Sequence, residues 1–235
     1  MKNNIDLENN PIDVQYLMHK AYADVSLVVE QMAHNLQSGG DLDSFKQAFS
    51  MWGKHLYYHA QTEDKYMTGP IQNNQAARNN EAEHAILAGT AQDFSAFLKN
   101  GEMAALEVSL GSILKFEEEQ HQELEKRMLE LEELLKAEVG EDAISLRTRR
   151  HIYSRVVALR VCEFDHFDNE ETFLFPVIRK LMNKQQQLSV AKRLLFDEDS
   201  DDQRWIIDWI YDALGSADQK LLKGLEKHIG LLEEN

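Results

Sequence analysis

The sequence has little of what disulfide-bonded, membrane-spanning or nucleic-acid-binding proteins require. Its 235 residues include one cysteine, Cys162, which excludes an intramolecular disulfide framework and a cysteine-based zinc site. No run of about 18 apolar residues occurs, so no segment is expected to span a bilayer. The 25 basic residues face 41 acidic ones, and the formal charge of −16 argues against a nucleic-acid or anionic membrane partner. Because the opening residues are polar and hold no signal-peptide pattern, we expect a cytoplasmic protein.

Proline is also scarce, with Pro11, Pro70 and Pro176 the three in the chain, which leaves long stretches free to be helical. Apolar residues recur every three to five positions from Val14 onward, the period of an amphipathic helix, and β-type alternation of useful length is absent. The sequence therefore predicts an all-α fold. The predicted helices run from 14 to the glycine pair at 39–40, then over about 42–67, 76–98, 102–137, 144–181, 185–195, 202–213 and 217–232.

Three of the nine histidines carry a glutamate four residues later in the chain. These pairs are His59 and Glu63, His121 and Glu125, and His166 and Glu170. Residues four apart share one face of a helix, so each pair could reach one metal ion or two adjacent ions. With 41 acidic residues in the chain, a solvated surface contact explains any single pair equally well.

Five histidines also fall at similar heights along the predicted helices. In an antiparallel helix pair, two residues lie level when the midpoint between them falls in the connecting turn. The midpoints between successive members of the series His19, His59, His84, His121 and His166 fall in or beside predicted turns, at 38–41, 68–70, 100–101 and 140–142. Surface histidines have no reason to align in this way, so we interpret the layer as a metal site. Imidazole and carboxylate are suitable ligands for iron and other divalent transition metals. This set of ligands is less typical of a structural zinc site with tetrahedral coordination.

Two stretches resemble the hemerythrin-like family, the HHE cation-binding domain. Residues 59–67, HAQTEDKYM, are similar to the second-helix H-x-x-x-E motif of that family. Residues 166–176, HFDNEETFLFP, resemble its fourth-helix H-x-x-x-E-E motif with an apolar-proline ending. Met18-His19-Lys20 looks like the lone histidine of the first helix, and Glu118-Glu119-Gln120-His121 resembles the start of the third. The likeness covers residues 12–182.

The resemblance implies an up-and-down four-helix bundle around two non-haem iron ions bridged by carboxylates, with another divalent metal as the alternative. The implied terminal ligands are His19, His59, His121 and His166, and the implied bridges are Glu63 and Glu170. Relatives in this family carry O₂, act as sensors, or handle iron, nitric oxide or redox equivalents. The expected partner is accordingly O₂, another diatomic molecule or a peroxide.

This sequence departs from the family pattern in two ways. Where the third helix usually offers two histidines one turn apart, His121 is followed by Glu125, which leaves His84, His55 or a carboxylate-rich shell to complete the site. In addition, five long helices are predicted where the family has four. Either residues 72–116 form an inserted helical segment, or the first four helices form the bundle and His84, His121 and Glu125 complete the site. The match at 166–176 favours the insertion, with His84 kept as a second-tier candidate ligand.

We therefore divide the chain into a flexible leader (1–11), a metal-binding bundle (12–182) and a C-terminal helical extension packed on the bundle (183–235). The expected function is a di-iron protein that binds O₂ or a related small molecule, or senses iron or redox state, rather than a dedicated enzyme. The alternatives are an oxidative di-iron enzyme, peroxidase-like or iron-oxidising, and a metal-free helical protein whose acidic face binds a basic partner. The histidines off the layer, His34, His151 and His228, are predicted to lie on the surface.

Overall fold

The computed structural model describes residues 5–72, 110–137 and 146–230, and within these ranges all regular structure is helical. The all-α prediction is thus confirmed. The helices are α1 (Val14–Leu36), α2 (Leu42–Glu63), α3 (Gly69–Gln72), α4 (Leu110–Ala137), α5 (Leu146–Asn169), α6 (Phe175–Leu181), α7 (Lys184–Leu195), α8 (Trp205–Ala213) and α9 (Ser216–Gly230). A 3-10 turn, Pro11–Asp13, precedes α1. The predicted helix over 76–98, His84 and most of the proposed insertion lie outside the described residues.

One predicted helix boundary is wrong, and it lies at a π-helical turn. The second predicted helix does not stop at Gly69 and Pro70, because the π-helical turn Asp64–Thr68 carries it onward into α3. The predicted helix over 144–181 ends at Leu181 as expected, but it contains a second π-helical turn, Glu170–Leu174. Such turns shift the hydrogen-bond register by one residue, which apolar periodicity does not reveal.

The turn between α1 and α2 follows the sequence prediction closely. Gly39 has φ of 91°, a left-handed conformation that glycine adopts without steric cost. The Gly40 N–H donates back to the Asn35 carbonyl at 3.0 Å, which closes the end of α1. The Asp41 carboxylate then accepts from the Asp43 N–H at 3.0 Å and caps the start of α2.

Four long helices form a closed ring in which α1 and α4 each pack against both α2 and α5. Neighbours in the ring run antiparallel. Arg149, near the start of α5, donates to the Leu36 carbonyl at the end of α1 at 2.6 Å. At the other end, Glu171 lies just after α5 and 3.0 Å from His19, near the start of α1. Because the directions alternate around the ring, side chains from all four helices can meet at one level in its interior.

The C-terminal helices cover one side of this ring. Helix α7 packs on α2 and on the 3-10 turn, while α8 and α9 pack on α1. Tyr58 of α2 donates its hydroxyl to the Arg193 carbonyl of α7 at 2.8 Å. Ile206, Ile207 and Ile210 of α8 are fully buried and join the core of the ring. None of the helices in the described ranges is long and apolar enough to cross a membrane.

Candidate metal centre

Each of the four long helices carries one histidine to the same level in the interior of the ring. His19 (α1), His59 (α2), His121 (α4) and His166 (α5) are all buried, with at most 6% of any of them exposed. Three buried glutamates join them. We refer to these four histidines together with Glu63, Glu117 and Glu170 as the cluster.

The cluster divides into two groups of ligand atoms. In the first group, the ligand atoms of His19, His59, Glu63 and Glu170 all lie within 4.8 Å of one another. His59 Nε2 lies 3.2 Å from Glu63 Oε1, and His19 Nε2 lies 3.2 Å from Glu170 Oε2. We call the place enclosed by this group position A.

In the second group, the ligand atoms of Glu63, Glu117, His121 and His166 meet the same 4.8 Å limit. His121 Nε2 lies 3.0 Å from Glu117 Oε1 and 3.4 Å from Glu63 Oε2. We call the place enclosed by this group position B. Glu63 belongs to both groups, and each of its oxygens faces a histidine of a different group.

Glu170 also reaches both groups. Its Oε2 atom lies 3.2 Å from His19 Nε2 and 3.6 Å from His166 Nε2. Two buried carboxylates therefore lie between positions A and B, an arrangement suited to bridging two metal ions.

Many polar atoms of the cluster are buried without a hydrogen-bond partner among the described residues. They are Nε2 of all four histidines, His59 Nδ1, Glu63 Oε2, Glu117 Oε1 and both carboxylate oxygens of Glu170. An unsatisfied buried polar group costs about 1–3 kcal/mol, and native structures hold few of them. Cations placed among these lone pairs would satisfy them together, so the donor set fits a pair of metal ions.

Burial shifts the pKa values of the cluster in directions that suit metal binding. It lowers the pKa of His19 and of His166 to about 3, so both imidazoles are neutral and keep a lone pair for a metal. Burial also raises the pKa of Glu63 to about 7 and that of Glu170 well above its ordinary value. Without a positive charge between them, these carboxyl groups favour the protonated form. Metal binding would therefore release protons.

His121 and Glu117 behave as an ion pair. Burial disfavours the charge on His121, but the nearby carboxylates of Asp64, Glu117 and Glu63 outweigh it and hold the pKa of the imidazole well above its ordinary value. For Glu117, burial is outweighed by the nearby His166 and His121, and its pKa is lowered.

Two further carboxylates hold histidines of the cluster from behind. Asp64 Oδ1 lies 2.8 Å from His121 Nδ1, and Glu171 Oε1 lies 3.0 Å from His19 Nδ1. Each of these acids directly follows a bridging glutamate in the sequence and binds a histidine on another helix. A carboxylate on Nδ1 fixes the imidazole with Nε2 directed into the cluster and raises its strength as a ligand.

Glu63 and Glu170, the two glutamates that reach both groups, lie where α-helix gives way to a π-helical turn. Glu63 directly precedes the first turn and Glu170 begins the second. The Gly69 N–H donates to the Asp64 carbonyl and the Phe175 N–H to the Glu170 carbonyl, each five residues back. A proline follows each of these donors, and since proline has no N–H it does not restore α-helical bonding there. Such turns occur frequently at functional sites.

The structure corrects the sequence analysis on the third ligand helix. Glu125, the glutamate paired with His121 by sequence, is exposed, as is Glu118. The carboxylate that α4 contributes to the cluster is Glu117, which the sequence analysis did not identify. Because α4 runs antiparallel to α2 in the ring, the carboxylate level with Glu63 lies four residues before His121 instead of after it.

The other histidines in the described ranges lie outside the cluster. His55 is buried but stacks on Trp209, with ring centroids 3.9 Å apart, and takes no part in the cluster. The predicted surface histidines, His34, His151 and His228, are exposed, as expected.

A cleft of about 190 Å³ opens between α2 and α4 and reaches His121. Asp64, Glu118 and Glu125 lie along it, so its lining is acidic. His121 is the member of the cluster that lines this cleft.

No protein-family model, curated protein or solved structure matches this chain.

Proposed function

We propose that this chain is a hemerythrin-like protein that holds two non-haem iron ions and binds O₂ or a related small molecule, or senses iron or redox state. The observation that carries the proposal is the convergence of seven buried His and Glu side chains whose unpaired atoms face one another. His19 and His59 would hold the ion at position A. Glu117, His121 and His166 would hold the ion at position B. Glu63 and Glu170 would bridge the two.

The donor chemistry supports iron over the commonest alternatives. The cluster offers nitrogen and oxygen and no sulfur, which disfavours thiolate-bound metals. Seven side chains exceed the four of a structural tetrahedral zinc. Two divalent ions would also more than neutralise three buried carboxylates. A carboxylate-bridged iron pair, when bound, supplies reversible binding or reduction of O₂ and similar small molecules.

The protein surrounds position A with aromatic side chains. Phe167 stacks on His19 with ring centroids 3.9 Å apart, and Tyr22 lies 5.1 Å from the ring of His59. Phe175 is buried 5.5 Å from His19. These rings fix the imidazoles in place and exclude bulk water, and such apolar surroundings favour small neutral ligands over charged ones.

The test is the metal content and absorption spectrum of protein produced with ample iron. We expect about two irons per chain and an absorption band of the oxidised pair that disappears on reduction. His59→Ala and His166→Ala should each lose metal, whereas His34→Ala and His151→Ala, at exposed positions, should retain it. An iron-replete preparation without any transition metal would refute the proposal and leave the metal-free interaction protein as the remaining candidate.

The acidic cleft favours an iron-oxidising enzyme as the second candidate, because its carboxylates would attract divalent cations toward position B. Oxidation of many Fe(II) equivalents per chain would support this enzyme. Uptake that stops at about two equivalents would support the binding protein instead.

A further inference from the structure

The cluster is built from two equivalent halves. The first half is α1, α2 and the π-helical turn after α2, and the second is α4, α5 and the π-helical turn within 170–174. The equivalent residues are His19 and His121, His59 and His166, Glu63 and Glu170, and Asp64 and Glu171.

Corresponding contacts in the two halves have similar lengths. His19 Nε2 lies 3.2 Å from the bridge of the opposite half, Glu170, and His121 Nε2 lies 3.4 Å from Glu63. The Nδ1 atoms of the same two histidines lie 3.0 and 2.8 Å from their acids, Glu171 and Asp64. His19 and His121 are therefore oriented alike in the two halves.

One equivalent pair breaks this symmetry. Gln15 lies four residues before His19, as Glu117 lies four residues before His121, and both side chains are buried, with 0% and 2% exposed. Position B therefore has a carboxylate where position A has a neutral amide.

Gln15 also weakens position A in a second way. Its Nε2 donates to Glu63 Oε1 at 2.5 Å, the oxygen that faces His59. An oxygen that accepts this hydrogen bond has less electron density to give a metal at position A. Glu63 Oε2, which faces His121 at position B, accepts no hydrogen bond among the described residues.

Building on the proposed di-metal function, we propose that Gln15 makes the two metal positions unequal, so that the Glu117 position fills first and the Gln15 position fills second and more weakly. Gln15 is a positioning residue in this scheme: it orients the Glu63 bridge and withholds a charge from position A. Metal loading then proceeds in two steps, and one residue pair, Gln15 and Glu117, sets the difference in affinity between them.

The test is an anaerobic calorimetric titration of the metal-free protein with Fe²⁺. The wild type should show two steps whose dissociation constants differ by about tenfold or more, the size of effect seen when one group that supports a metal ligand is changed. Gln15→Glu should lower the dissociation constant of the second step, so that the two dissociation constants become similar. Glu117→Gln should weaken the first step by about tenfold or more. Glu119→Gln, which removes an exposed charge two residues from Glu117 and outside the cleft, is the matched control and should leave both steps unchanged.

A second measurement identifies the position that fills first and does not depend on the variants folding. With one equivalent of paramagnetic Co²⁺ bound to the wild type, NMR should show the largest, through-bond contact shifts for the imidazoles of His121 and His166, and only the smaller through-space shifts for those of His19 and His59. Two equal steps, or first filling at His19 and His59, would overturn the inference. A wild type that binds no metal at all would instead refute the proposed function.

Discussion

Glu163 allows a prediction about stability that can be worked through from the structure. This carboxyl group lies on α5, three residues before His166, and only 1% of the residue is exposed. The Trp52 indole N–H donates to Glu163 Oε1 at 2.7 Å. Burial outweighs this hydrogen bond and raises the pKa of Glu163 from an ordinary 4.5 to about 7. The folded protein therefore binds this proton more tightly than the unfolded chain does.

The magnitude and the pH window follow from these two pKa values. Each tenfold difference in proton affinity corresponds to about 1.4 kcal/mol, so the free energy of unfolding should change by about 3 kcal/mol through this group. The contribution is fully present below pH 4.5 and is lost as the pH rises through about 7. Glu163→Gln retains an oxygen for the Trp52 N–H and cannot ionise. The free energy of unfolding of the variant should therefore not show this decrease as the pH rises.

The assay is denaturant unfolding of the metal-free protein at about pH 5 and pH 8. We compare the free energy of unfolding of Glu163→Gln with that of wild type at each pH. This difference should shift in favour of the variant by about 2–3 kcal/mol between pH 5 and pH 8. Glu125→Gln, a change at an exposed position, should show the same pH dependence as wild type. If Glu163→Gln followed the wild-type pH dependence as well, the carboxyl group would not have a raised pKa, and the reasoning from burial would be refuted.

Three other substitutions test the parts of the fold around the cluster. Tyr58→Phe removes a hydroxyl that bonds backbone carbonyls at the end of α7, so thermal unfolding should show a loss of about 1 kcal/mol, with the metal content unchanged. Gly69→Ala would place its Cβ 2.6 Å from the Asp64 carbonyl, so the π-helical turn that follows Glu63 must shift. Metal titration should then show binding weakened by about tenfold. Unchanged affinity would contradict a role of the turn in positioning Glu63. His55→Phe retains the stacking on Trp209 and removes two buried nitrogens that have no hydrogen-bond partner. The variant should therefore be at least as stable as wild type and bind the same amount of metal. Loss of metal would place His55 in the site.

Much of the candidate site could be predicted from local sequence because it depends on helical spacing. His59 with Glu63 and His166 with Glu170 are neighbours on one helix face whatever the rest of the chain does. The common level of His19 and His59 followed from the turn at 38–41, which the structure confirms. The steps to His121 used His84 and a turn at 68–70, where the structure has a π-helical turn instead, so the level of His121 was decided by the tertiary structure. His84 lies outside the described residues and remains a prediction.

The sequence by itself determined the all-helical character, because three prolines and the apolar period leave no other regular structure. It also determined that imidazole and carboxylate share helix faces. The tertiary structure alone decided between Glu117 and Glu125, since both lie four residues from His121 and are equivalent in sequence spacing. The antiparallel direction of α4 directs the earlier residue into the cluster, and the same reversal in α1 places Gln15 there. Local spacing specifies which residues share a face. Only the direction of each helix in the ring specifies which end of that face meets its neighbours.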